Sequence, residues 1–271
     1  MSALHLIRLP ISLAALGRWA AERRIGWISR KGPGGAERDG GLDEGRALHH
    51  LLAETFGKGI LQPFRLMPAP KGGGAFVYAY TGADGETLAE TARACALPEV
   101  LGVLALDRLE AKAMPSAWQA GRRLGFEVRV RPVIRLAESL PGGSATATAF
   151  GKGAEVDAFL AEAMRRFPAG PEAEQSMLVL GRGREAVYGD WLAARLGEAV
   201  RPVAPFGLAT FQRRPVQRQG RAALDGPDAL LRGEVEIMDG HAFASLLAKG
   251  VGRHRAYGYG MLLIRPPGRA G

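Results

Sequence analysis

Two groups of residues in this chain have the types and spacing for proton transfer and anion binding. The first is the run 250–260, Gly-Val-Gly-Arg-His-Arg-Ala-Tyr-Gly-Tyr-Gly, in which four glycines alternate with two arginines, a histidine and two tyrosines. Residues without a Cβ let the backbone approach a phosphate closely and aim N–H groups at it. Interleaved arginine and tyrosine add charge and stacking surface, which suits a nucleic acid better than a small metabolite. Lys249, Gly252, Arg253, His254, Arg255, Tyr257, Gly258 and Gly260 are therefore candidate RNA contacts. The second group is His49 and His50. Residues 43–56 have helical period: at 100° per residue Leu48, Leu51, Leu52 and Phe56 share one face, His49 falls at its edge and His50 points nearly opposite. A half-shielded imidazole can approach a ligand and titrates near neutrality, as acid–base work requires. His50 is expected in solvent.

A third basic group, Gln212-Arg213-Arg214-Pro215-Val216-Gln217-Arg218-Gln219-Gly220 with Arg221 behind it, reads as the tip of a hairpin (212–221). Its arginine forks suit phosphates and guanine edges. From residue 201 onward eleven Arg and Lys residues face five Asp and Glu residues, so most of the net charge of +9 lies at this end. That concentration localises a nucleic-acid footprint.

The remaining composition narrows the function by exclusion. At 271 residues and 47% hydrophobic content the chain can bury a substantial core. Its one cysteine, Cys95, permits no internal disulfide and no cysteine zinc site, and is expected as a small buried residue. Metal ligands at recognisable spacing are absent, and Gly181-Arg182-Gly183 lacks the third glycine and βαβ setting of a dinucleotide fingerprint. No metal, no cofactor and no small-molecule cofactor partner are expected. Neither a signal peptide nor a bilayer-spanning run is visible, so the expected location is cytoplasmic, away from membranes.

The elements that must position these residues follow from periodicity. The first half reads as a strand (3–9) stopped by Pro10, a helix (11–24), an inserted polar loop (29–41), the histidine helix (43–56), two strands (61–66, 75–80), a helix (86–96) and a strand (100–109). The second half restarts with a long strand (124–136) whose alternation puts Phe126, Val128 and Val130 opposite Glu127, Arg129 and Arg131. There follow helices (155–166, 185–196), a short strand (177–180), a basic hairpin (203–224), a strand (230–238), a helix (239–249), the glycine run and a last strand (261–264). Both halves have the β-α-β-β-α-β order, predicting an α+β protein of two tandem ferredoxin-like (RRM-like) domains, 1–112 and 123–271.

Three segments together resemble the CasE family of CRISPR repeat endoribonucleases in type I-E systems. They are Arg46-Ala47-Leu48-His49-His50-Leu51-Leu52, the helix Arg184–Leu196, and the tail Gly250–Leu262. The resemblance implies a metal-independent endoribonuclease that cuts a CRISPR repeat RNA stem-loop. The ribose 2′-OH would attack the adjoining phosphodiester, leaving a 2′,3′-cyclic phosphate and a 5′-OH. The product would stay bound, the protein serving with other subunits of a type I-E interference complex. His49 matches the family histidine, while Arg46 stands where the family has a tyrosine. Arginine holds developing phosphate charge but takes no proton at neutral pH, so the resemblance implies His49 as the catalytic acid–base, with Arg46 expected on the phosphate in place of the tyrosine; His254, in a loop that would touch the scissile phosphate, is the alternative acid–base. The rival expectation is a non-catalytic subunit that binds the RNA hairpin.

Overall fold

The computed structural model describes residues 3–31, 37–69, 74–140, 150–167, 173–216 and 224–268. Its first half runs β1 (His5–Ile11), α1 (Leu13–Glu22), β2 (Trp27–Lys31), β3 (Glu37–Leu42), α2 (Glu44–Phe56), β4 (Phe64–Pro68), β5 (Ala75–Thr81), α3 (Gly85–Cys95), α4 (Pro98–Leu101) and β6 (Glu110–Ala113). Apart from the antiparallel β2–β3 hairpin, the strands form an antiparallel sheet in the order β4-β5-β1-β6. That is the ferredoxin-like order.

The second half continues with β7 (Arg123–Val130), β8 (Val133–Arg135), β9 (Glu155–Asp157), α5 (Ala158–Arg166), α6 (Ala173–Val179), α7 (Arg184–Leu196), β10 (Val200–Pro202), β11 (Gly207–Val216), β12 (Leu224–Ile237), α8 (Gly240–Lys249), a 3₁₀ turn (Arg255–Tyr257) and β13 (Leu262–Arg265). Its sheet order is β10-β12-β7-β13, with β11 extending the β10 edge along β12. The plan of the first half is repeated, as expected.

Period-two alternation joins the halves. On β1 and β5, Ile7, Leu9, Val77 and Ala79 are buried in one core with Leu16 and Trp19 of α1 and Leu48 and Leu51 of α2. Leu6 and Tyr80, paired in register on the opposite face, belong instead to the core of the second half with Phe126, Val128 and Leu262. The Tyr80 hydroxyl donates to the Leu262 carbonyl at 3.0 Å, and Arg65 on β4 meets Glu127 on β7 at 2.8 Å. Both sheet faces of the first half are thereby used, and the halves pack together through apolar contact sealed by polar links.

Several local expectations are corrected. The polar insertion 29–41 falls largely within the β2–β3 hairpin, because backbone pairing needs no apolar side chains. Pro10 does not end β1, which runs on to Ile11 paired with Ala75; β6 pairs only residues 5–8, so the missing N–H at Pro10 breaks no bond to that neighbour. The apolar run 100–109 is the end of α4 and a 3₁₀ turn, and the edge strand follows at Glu110–Ala113. Residues 177–180 end α6 rather than forming a strand; short apolar runs carry no period that separates the two. The long strand 124–136 is broken at Arg131-Pro132, after which β8 pairs with β9. Glu155–Asp157, expected in a helix, form β9, and Asp157 caps α5. β12 is one strand of 14 residues, joining two that the sequence suggested were separate. Cys95, expected to be buried, is exposed at the end of α3. Among the described residues no helix is long and apolar enough to cross a membrane.

Candidate active site

Helix α2 begins where Asp43 accepts a hydrogen bond from the Arg46 amide at 3.0 Å, an N-cap that fixes the direction of the first turn. Leu48, Leu51, Leu52 and Phe56 are buried, His50 is exposed and His49 is half-buried at the edge, as the periodicity predicts. Burial first, then nearby His50 and Lys58, hold the His49 imidazole below the ordinary histidine range. At neutral pH it is unprotonated and able to accept a proton. Burial first, then the charge of Arg46 one turn before it, lower the His50 imidazole. Arg46 is not among the charges that shift His49.

One turn before His49 on the same face is Gly45, where a Cβ would overlap the carbonyl oxygen of Tyr257. The missing side chain lets the tail seat directly on α2. The Tyr257 ring then meets His49 edge-on, with centroids 5.1 Å apart, and His50 lies 5.3 Å from His49. Tyr257 is 39% exposed, the His254 ring lies 6.4 Å away, and His254 adopts the left-handed conformation (φ 62°) that few non-glycine residues take. Glu155 on β9 accounts for its placement, with Oε2 3.0 Å from His254 Nε2 and Oε1 2.6 Å from Arg253 Nε.

The glycines of the tail serve packing. A Cβ on Gly250 would lie 2.8 Å from the Gly260 carbonyl oxygen and 2.9 Å from Pro63, and one on Gly260 would overlap the Val251 carbonyl. Their amides are also engaged within the protein: Gly250 donates to Leu246 at 2.8 Å, Val251 to Gly260 at 2.8 Å and Gly260 to Arg129 at 2.7 Å. The loop is closed on itself, and these N–H groups do not face a ligand. What it presents instead are side chains.

Those side chains join strand residues around a cleft of about 620 Å³ between the halves. Arg46 and His49 line it from α2, Arg129, Arg131 and Arg135 from the strands, and Arg214, Arg253, His254 and Tyr257 from the basic end. Buried carboxylates orient the arginines. Asp228, 3% exposed, accepts from Arg129 Nε at 2.8 Å, Arg129 Nη2 at 2.6 Å and Gln212 Nε2 at 3.0 Å, with Arg214 Nε 3.1 Å away. Burial pushes the Asp228 carboxyl up, but the bonds and charge of Arg129, helped by Arg214 and Gln212, outweigh it and leave the group below the usual range. Arg129 and Arg131 also stack on Tyr259, at 4.8 and 5.6 Å from its centroid. Forked cations held this rigidly lose little entropy when they bind an anion.

Arg46, His49, Arg214, Arg253, His254, Tyr257 and Gly258, all singled out from the sequence, meet in this cleft. Arg213, Lys249, Gly252, Arg255 and Gly260 do not line it. Arg213 alternates to the opposite side of β11 from Gln212 and Arg214, Gly252 packs on Trp191, and Arg255 donates to the Lys249 carbonyl at 2.6 Å. Arg218 and Arg221 lie outside the described residues. Arg129, Arg131 and Arg135 were missed as candidates, although the alternation of residues 126–131 had already set two of them on the face away from Phe126 and Val128. Among the described residues, no three His, Cys, Asp or Glu side chains are grouped to hold a metal ion.

Fold and site together define a tandem ferredoxin-like protein whose halves enclose an arginine-lined cleft around a neutral imidazole. The family model described as "CRISPR associated protein" matches residues 4–266, and the chain belongs to that family. No curated protein matches it by sequence. Among solved structures, CRISPR endoribonuclease Cse3 bound to a 19-nucleotide RNA has a TM-score of 0.56 at 20% identity, covering 97% of this chain and 100% of that one. Thermus thermophilus Cse3, bound to an RNA representing a pre-cleavage complex, gives 0.57 at 18% with the same coverage. Cas6e from Escherichia coli K-12 gives 0.52 at 16%, again over 97% and 100%. Likeness at these identities establishes the fold.

Proposed function

We propose that the protein is a metal-independent endoribonuclease that cuts the stem-loop of a CRISPR repeat RNA. The observation that carries this reading is that His49, on the first half, and the basic tail of the second half line one arginine-rich cleft. The cleft offers what RNA transesterification requires. Neutral His49 takes the proton from the 2′-OH, and as the 2′-oxygen attacks phosphorus the arginines stabilise charge on the non-bridging oxygens, Arg46 among them. Breaking the P–O5′ bond leaves a 2′,3′-cyclic phosphate and a 5′-OH. Membership in the CRISPR-associated family and a fold shared with RNA-bound endoribonucleases support the choice of substrate. The same cationic cleft would retain the product, consistent with service as the RNA-hairpin subunit of a type I-E interference complex.

The test is incubation of the purified protein with repeat RNA in excess EDTA. Cleavage at one position in the stem-loop is the expected result. Tight binding without product would assign the chain to the non-catalytic, hairpin-binding reading, which the presence of Arg46 three residues before His49 keeps in view. Cleavage that disappears in EDTA would contradict the metal-free mechanism.

A further inference from the structure

The reaction just described needs a second proton-transfer group, because the departing 5′-oxygen must be protonated and an arginine side chain is too weak an acid for that role. Resting on that reading of the cleft, we infer that Tyr257 is the general acid: its hydroxyl protonates the 5′-oxygen as His49 deprotonates the 2′-OH.

The geometry distinguishes Tyr257 from the other candidates. Its ring packs edge-on against His49, with centroids 5.1 Å apart, and both rings face the same cleft. The residue is 39% exposed and lines the cleft. Among the described residues its hydroxyl has no hydrogen-bond partner, unlike those of Tyr80 and Tyr188, which are bonded to Leu262 and Asp157. His254, the alternative from the sequence, has Nε2 engaged by Glu155 at 3.0 Å and a largely shielded side chain. Tyr257 is also held from both sides. Its carbonyl sits against Gly45 of α2, and its amide donates to the His254 carbonyl at 2.9 Å.

The protons balance. The 2′-O–H bond breaks toward His49, the 2′-O–P bond forms, the P–O5′ bond breaks, and O5′ takes the proton of the Tyr257 hydroxyl. This leaves an imidazolium beside a phenolate. Proton return from His49 to Tyr257, directly or through one water, restores both groups, so the ring contact that places the acid also resets it.

The experiment compares single-turnover cleavage of the normal repeat RNA with that of an RNA carrying a bridging 5′-sulfur at the scissile position, whose thiolate departs without a proton. Tyr257→Phe, which keeps the ring, is expected to bind RNA as the wild type does and to cut the oxygen substrate about 100-fold more slowly. It should cut the sulfur substrate within about tenfold of the wild-type rate, whereas His49→Ala stays slow on both. Tyr257→His, which exchanges one proton donor for another, should recover part of the loss. A wild-type rate for Tyr257→Phe on oxygen overturns the inference, as does an equal deficit on both substrates, which would mark a structural role. Sulfur rescue of His254→Ala in place of Tyr257→Phe would move the acid to His254. Failure of the wild type to cut any hairpin would instead remove the endoribonuclease reading, and this inference with it.

Discussion

Replacing Gly45 by alanine should improve the helix and damage the enzyme. Gly45 lies in the first turn of α2, where alanine is favoured over glycine by about 1 kcal/mol in a helix interior. The added Cβ, however, would overlap the Tyr257 carbonyl, and restoring ordinary van der Waals contact requires the tail to retreat by about 1 Å, a misplacement of the size that costs about 100-fold in rate. That loss corresponds to about 2.7 kcal/mol of transition-state stabilisation. Relief of the overlap costs about 1–3 kcal/mol, partly offset by the helix propensity, so net stability should move by no more than about 2 kcal/mol. The assay pairs urea unfolding with single-turnover cleavage of a repeat hairpin at saturating protein. Near-native stability with cleavage slowed about 100-fold is the expected pattern. A Gly45→Ala protein cutting at the wild-type rate would refute the claim that the tail seated on α2 sets the geometry around His49.

Other perturbations separate chemistry from grip. His49→Ala should slow cleavage by about 10²–10⁴-fold while leaving RNA affinity within about twofold in a filter-binding assay, since it removes a proton acceptor and no cation. Because burial favours the neutral imidazole and the neutral form is the base, the rate should fall with acid about a midpoint below the ordinary histidine value of about 6.5. An acid limb centred above that value in the pH–rate profile would contradict the assignment. Arg214→Ala, which removes a cation from the cleft, should weaken RNA binding and lower the slope of log K against log salt by about one, whereas Arg213→Ala, on the other side of β11, should leave the slope unchanged. Asp228→Ala leaves the Arg129 fork without its buried partner and should cost about 3–5 kcal/mol in urea unfolding, against near neutrality for breaking a surface pair such as Arg8–Glu110.

Much of this architecture was legible because burial imposes periods on sequence. The apolar stripe of α2 places His49 at the edge and His50 in solvent, and the alternation of β7 separates Phe126 and Val128 from Arg129 on sequence alone. The βαββαβ order in each half gave the ferredoxin-like class. What stayed hidden was tertiary. Nothing local indicates that the face of β7 bearing Arg129 looks into a cleft, that Gly45 exists to admit the Tyr257 carbonyl, or that the glycines of the tail fold it onto Pro63 and Trp191 instead of cradling a phosphate. Short apolar runs such as 177–180 carry too few residues to show a period, and Cys95 shows that a residue on an apolar stripe near a helix end can still face water.

In the proposed reaction one ribose hydroxyl attacks its own phosphodiester beside His49. A single 2′-deoxy substitution in the repeat RNA, at the nucleotide 5′ to the cleavage point, removes that nucleophile and nothing else. This RNA should bind as tightly as the unmodified hairpin and stay uncut, while the unmodified RNA yields a 2′,3′-cyclic phosphate in EDTA. Cleavage of the deoxy-substituted RNA at the same position would contradict that reaction, because the nucleophile would then have to come from elsewhere.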